Sequence, residues 1–387
     1  MKKVTSSTLI FVTGIAILWI YFNRGREDLL FYVVDLPLFV LIYGLLFCIG
    51  IPSISQGIRY GTKSSLLNTI ALPLVLIVLY YLYLITHGQT IDDGASLLLP
   101  YLVLFPVLAM YHRNSDYKIA TWSDLIVTIL FLWPITLVHF SGNSDLPVEG
   151  VHFDSLYRMI VLLVTVYAFV VIRRLGNVGF WVDISGRKLW TTIWVWGVYI
   201  GMVWLLGMLF GLIDFEGWDS LEGRTVESMV IRFLTIFLHT AIFEELFFRG
   251  LLQNMLTRRI QQATDQLSFW IISFLVMTIL ALATGVGIDG NLFWLPAVVS
   301  VLIFVVAYLL SNFFSGYRHH YLSMAIISIL FGLVHFHAGS VVYVGLAILA
   351  GWAYGYVFWK TRNVLYAALI HTLVNISPLL LGIEILN

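Results

Sequence analysis

Two adjacent carboxylates and a guanidinium, Glu244, Glu245 and Arg249, lie inside the otherwise apolar run IRFLTIFLHTAIFEELFFRGLL. A charge at the centre of a membrane helix is disfavoured by roughly 2.5 to 3.5 kcal/mol on insertion scales, so three of them together need a reason. On an α-helix Glu245 and Arg249 fall one turn apart on one face and can pair, while Glu244 points about a quarter turn away. Pairing neutralises Glu245 and leaves Glu244 for chemistry. A purely structural ion pair, pinning this helix to a neighbour, explains Glu245 and Arg249 but leaves Glu244 buried without a partner.

Two further stretches carry polar residues at helical spacing: Phe331 and His335 in SILFGLVHFH, and His371 and Asn375 in LIHTLVN. A single membrane histidine commonly serves as a helix-to-helix hydrogen bond. Two histidines, an amide and an unpaired glutamate on three separate segments point instead to a shared polar site. A carboxylate and an imidazole that converge on a water can deprotonate it, and a carboxylate taken out of bulk water is the stronger base. Asn375 cannot titrate, but its amide donates hydrogen bonds and suits a developing oxyanion, with His371 one turn away as a second donor. The alternative is a divalent metal such as zinc, held by Glu244, His335 and His371 with a fourth position open for water. The residues alone leave metal-bound and metal-free water open.

Composition says what must carry these groups. The chain has 387 residues, 60% hydrophobic and 11% charged, with a mean hydropathy of +0.94. A soluble globule carries about a quarter charged residues, so this is a polytopic membrane protein. Zero net charge gives no reason to expect a nucleic-acid partner. Cys48 is the sole cysteine, which excludes a disulfide framework and a cysteine-based zinc site. The opening MKK and the apolar Leu9 to Phe22 have the look of a signal peptide but lack a small-residue cleavage site, so they read as a first span.

The expected fold is an all-α, polytopic transmembrane helix bundle of about thirteen spans. They fall roughly at 7–22, 29–52, 66–86, 95–111, 121–141, 156–172, 189–213, 227–253, 267–283, 292–313, 321–337, 341–359 and 363–385. Loop charges alternate accordingly. Lys2, Lys3, Arg59, Lys63, Arg113, Lys118, Arg173, Arg174, Arg187, Lys188, Arg258, Arg259, Arg318, Lys360 and Arg362 mark one side. Asp92, Asp93, Asp145, Glu149, Asp214, Glu216, Asp219, Glu222 and Asp289 mark the other. The positive-inside rule then puts the N-terminus in the cytoplasm and the C-terminus outside; only Arg24 and Arg26, countered by Glu27 and Asp28, sit on the unexpected side.

The basic stretch Arg173 to Lys188 suggests a functional boundary: an N-terminal bundle, 1–188, of unassigned role and a C-terminal core, 189–387, that holds all the polar constellations. Asp35 and Asp124 are the internal charges of the first part, each near a span end or a turn. Trp190, Trp194, Trp294 and Trp359 read as aromatic girdle or helix packing. Counting about 1.5 Å per residue puts Glu244 about 15 Å, His371 about 12 Å and His335 about 21 Å from one face. The three meet only if the segment bearing His335 starts late or tilts.

The set Glu244, Glu245 and Arg249, then Phe331 and His335, then His371 and Asn375 resembles the CPBP family of intramembrane proteases, whose motifs run EExxxR, FxxxH and HxxxN. That family comprises CAAX prenyl endopeptidases and bacteriocin-processing or self-immunity proteins. The stretch LAILAGWAYGYVFWKTRNVLYAALIH also resembles its segment before the last motif, and the likeness covers roughly residues 190 to 387. The resemblance implies a peptide or protein substrate reached from the lipid bilayer. It also implies water activated by Glu244 with His335, an oxyanion or a metal held by His371 and Asn375, and a site braced by Glu245 and Arg249. This chain departs from the pattern in a helix pair inserted near 267–313, between the first and second motifs, and in its seven preceding spans.

Other readings have less support. HExxH is absent, no GxSG stands where a membrane serine protease needs it, and Gly285 to Asp289 misses GxGD by one position. His337 and His239 fall off the shared faces and read as structural, while His319 and His320 read as solvated in a basic loop. Rival functions are a binding or immunity protein that holds a peptide without cutting it, or a proton-coupled transporter. The single cysteine and compact loops suit a bacterial plasma membrane.

Overall fold

The computed structural model describes residues 2–25, 29–62, 65–91, 94–111, 120–137, 155–210, 213–215, 225–288, 291–381 and 383–385. The protein is all-helical apart from a short antiparallel pair, Ile213–Phe215 with Ile383–Ile385. Ten helices among the described residues are long and apolar enough to cross a membrane, and the protein is integral to one. Shorter apolar helices at 96–111, 122–131 and 156–172 stand at the other positions expected of spans. The loop charges Arg26, Glu27, Asp28, Lys63, Asp92, Asp93, Arg113, Lys118, Asp145, Glu149, Glu216, Asp219, Glu222 and Asp289 lie outside the described residues.

The chain divides into two compact units, Met1–Ile184 with Leu238–Phe243, and Ser185–Phe237 with Glu244–Asn387. In the first, both anomalous acids are paired. Asp124 receives Nε and Nη2 of Arg173, each at 2.8 Å, with both side chains fully buried. Asp35 stands 2.9 Å from Nε2 of His87. A buried carboxylate persists only with such a partner, so these charges brace the unit.

In the second unit four segments frame the polar residues, and each has a local cause. The helical run Val226–Gln261, here the glutamate helix, starts at Thr225, whose hydroxyl accepts from Ser228 N at 3.1 Å. It is not uniformly α: π-helical turns at Thr235–Ala241 and Leu246–Gln253 flank a short α segment, Ile242–Glu245. Such wide turns recur at functional sites, and here they flank the two glutamates. The first-histidine helix, Arg318–Leu333, tightens into a 3₁₀ turn, Val334–Ala338, and stops at Gly339 with φ +69°. Ser340 then caps the tyrosine helix, Val341–Thr361, by accepting from Tyr343 N at 3.2 Å. A tight turn follows, in which Asn363 Oδ1 accepts from Leu365 N at 2.9 Å and opens the second-histidine helix, Val364–Leu381.

Small residues let these helices approach. A Cβ on Gly332 would meet the backbone of Ile348 at 2.8 Å, and one on Gly351 would meet Ser328 Cα at 2.9 Å, so only glycine fits. Close contact of this kind replaces the hydrophobic drive that lipid does not supply. The helix Gly186–Phe210 closes the group through Trp196 Nε1 on Ser377 Oγ at 2.9 Å and Tyr199 OH on Leu346 O at 3.2 Å. The pair expected near 267–313 is present as Gln266–Ile288 and Leu295–Phe313.

One expectation needs correction. His319 and His320 are not simply solvated; they open the first-histidine helix half-buried, with His320 5.4 Å from the Trp359 ring. The tryptophans take the two roles read for them: Trp359 is buried and packs in this aromatic cluster, while Trp190, Trp194 and Trp294 are exposed as a girdle requires.

Candidate active site

Glu245 and Arg249 pair as their spacing predicts, with Arg249 Nε donating to Oε2 at 2.9 Å and both side chains fully buried. The other carboxylate oxygen has a partner that spacing could not reveal. His371 Nδ1 lies 3.0 Å from Glu245 Oε1, across from the second-histidine helix. An ionised carboxylate only accepts, so His371 carries a proton on Nδ1 and, when the ring is neutral, its lone pair is at Nε2.

His335 reaches the same state by another route. Its Nδ1 is 2.7 Å from the carbonyl of Phe331, one turn back, and that oxygen too can only accept. The 3₁₀ turn that ends the first-histidine helix supplies the change of direction that upright helices would have denied. His335, His371 and Asn375 all line one cavity of about 340 Å³.

Aromatic side chains fix both imidazoles. Phe331 packs 4.8 Å from His335 and 5.7 Å from His371, and Arg249 Cζ stands 5.2 Å over its ring. Tyr354 stacks on His371 at 4.8 Å and 14°. Tyr199, Tyr343 and Tyr354 line the cavity, and sequence reasoning missed all three. The nearest signal was the pair Gly351 and Gly355 around Tyr354, which marks a close helix contact.

Glu244 is half-buried, and its Oε2 is shielded from solvent with no hydrogen-bond partner. It is not among the residues that line the cavity, whose walls include Tyr343 and Tyr354. Apart from Ser377 the remaining walls are apolar, with Ile200, Val203, Leu346 and Val374 among them. The chamber thus joins two imidazoles and one carboxamide to an apolar surface.

Nε2 lone pairs oriented by a carboxylate or a carbonyl suit a metal ligand as well as a base. Among the described residues no three His, Cys, Asp or Glu side chains stand together as a metal-holding group. Of the remaining histidines, His337 is exposed and outside the cavity lining. The carbonyl of His239 accepts from Arg158 at 2.9 Å within the first unit.

Residues 226–316 and 303–377 match the family model described as type II CAAX prenyl endopeptidase Rce1-like. The matched region contains every residue of the three motifs, and it bears out the resemblance drawn from them. No curated protein and no solved structure matches the chain.

Proposed function

We propose that the protein, a membrane protein with an Rce1-like C-terminal region, is an endopeptidase that hydrolyses a peptide bond inside the bilayer. Family likeness supports a CAAX-type membrane protease in general terms. The chemistry is argued from the side chains. Glu244, with an unpartnered buried oxygen, is the general base: it takes a proton from a water that His335 Nε2 helps to hold. The resulting hydroxide adds to the scissile carbonyl, and its oxygen gains charge as the tetrahedral intermediate forms. Asn375 donates to that oxyanion.

His371 completes the step in a way its bond to Glu245 suggests. With Nδ1 committed to the carboxylate, it donates to the oxyanion from Nε2 only as the imidazolium. As the imidazolium it can also pass a proton to the leaving amine. Arg249 holds the Glu245 carboxylate in place through its Nε hydrogen bond. No step here passes through a metal.

The observation that carries this reading is the division between the two glutamates: Glu245 is doubly engaged, while Glu244 has a shielded oxygen left over. Purified protein in lipid vesicles should cleave a prenylated CAAX peptide, and Glu244→Ala and His335→Ala should each abolish this while leaving the protein folded. Turnover retained in either variant would remove the mechanism.

A further inference from the structure

Below the Glu245–Arg249 pair the glutamate helix continues as a buried polar line at intervals of four residues. After Glu245 and Arg249 come Gln253, 2% exposed, and Thr257, 8% exposed. Thr257 Oγ1 donates to Gln253 O at 2.7 Å and meets Ser323 Oγ at 2.6 Å on the first-histidine helix. Such a line in a membrane helix has a cost at every step unless each group is satisfied.

Three atoms in it are not satisfied by protein. Arg249 Nη1 and Nη2 and Gln253 Oε1 are all buried without a hydrogen-bond partner. The orientation of the Gln253 amide follows from its neighbour: Gly355 O only accepts, and it takes Nε2 at 3.1 Å, so Oε1 must be the atom left over. A Cβ on Gly355 would stand 2.8 Å from that same oxygen, so a larger residue there would have to displace the amide. Arg249 packs on the adjacent residue, with Cζ 6.0 Å from the Tyr354 ring. Arg249 and Gln253, one turn apart on the glutamate helix, thus contact adjacent residues of the tyrosine helix, and Arg249 Cζ also stands 5.2 Å over the Phe331 ring.

We propose that Gln253 is a positioning residue for the catalytic histidine, acting through a water that bridges its Oε1 to the Arg249 guanidinium. The relay runs from Gly355 O through Gln253, the water, Arg249 and Glu245 to His371 Nδ1. A single water can accept from Nη1 and Nη2 and donate to Gln253 Oε1, which gives each of the three leftover atoms one partner. The inference rests on the protease reading for its effect on turnover, but not for the relay itself.

The test compares Gln253→Met with Gln253→Glu in vesicles, reading kcat and KM on a prenylated CAAX peptide and the thermal unfolding midpoint. Glutamate keeps an acceptor for the guanidinium and, as the neutral acid, a donor for Gly355 O; methionine keeps only the volume. The relay predicts that Gln253→Met lowers kcat roughly tenfold with KM unchanged, while Gln253→Glu keeps most of the turnover and the higher midpoint. A residue that merely fills space predicts the reverse order, since methionine is the better buried isostere, and that order would overturn the proposal. If the wild type fails to cleave, the protease reading falls, and the order of the midpoints still decides for or against the relay.

Discussion

His371 and Glu245, 126 positions apart in the chain, meet at 3.0 Å between Nδ1 and Oε1. The carboxylate that an i,i+4 pair would neutralise is therefore also the group that sets the tautomer of a histidine in the candidate active site.

The ion pair should be replaceable for stability but not for function. Glu245→Ala alone strands Arg249 in the interior and should lower stability by about 3–5 kcal/mol. The double change Glu245→Leu with Arg249→Met should recover most of that loss. Cleavage should stay absent in the double variant, because His371 has lost its partner. Thermal unfolding and peptide turnover on the same preparations check both halves.

Asn375 carries no load in the folded protein, being exposed and lacking a protein partner in the described contacts. Asn375→Ala should leave the unfolding midpoint within error of wild type. Its kcat should fall by about 10²–10³, the usual cost of one oxyanion donor, with KM little changed.

Tyr354 holds the His371 ring by stacking. Tyr354→Phe keeps that surface and should retain activity. Tyr354→Leu should lose the aromatic pairing, worth about 0.5–1.5 kcal/mol, and reduce kcat by up to about tenfold. Equal activity in the two variants would mean that the stack does not position the ring.

The described side chains offer no three-ligand metal group, so a chelator such as EDTA should leave turnover unchanged after extended dialysis. Loss of activity restored by zinc would show that Glu244, His335 and His371 converge on a metal when substrate binds.

Much of this was legible in the sequence. The apolar runs, the Glu245–Arg249 spacing and the shared face of His371 and Asn375 follow from composition and helical periodicity. The contact of His371 with Glu245 was not, since nothing local links residues on separate helices. The glutamate helix also departs from α periodicity through two π-helical turns, so the faces read at 100° per residue drift around the motif. The depth estimate for His335 assumed a straight helix and missed the 3₁₀ turn. Tyr199, Tyr343 and Tyr354 were hidden because a cavity wall, a girdle and a packed core use the same aromatic residues. His319 and His320 were read as solvated because a basic loop disguises a buried aromatic cluster.

The central claim is that Glu244, and not its paired neighbour, activates the water. Its most direct test is single-turnover cleavage of a bound prenylated CAAX peptide by Glu244→Gln, with peptide affinity and the unfolding midpoint measured on the same protein. The account predicts affinity and stability at wild-type levels and a rate lowered by about 10²–10⁴, the contribution of a positioned general base. Cleavage at the wild-type rate would contradict it.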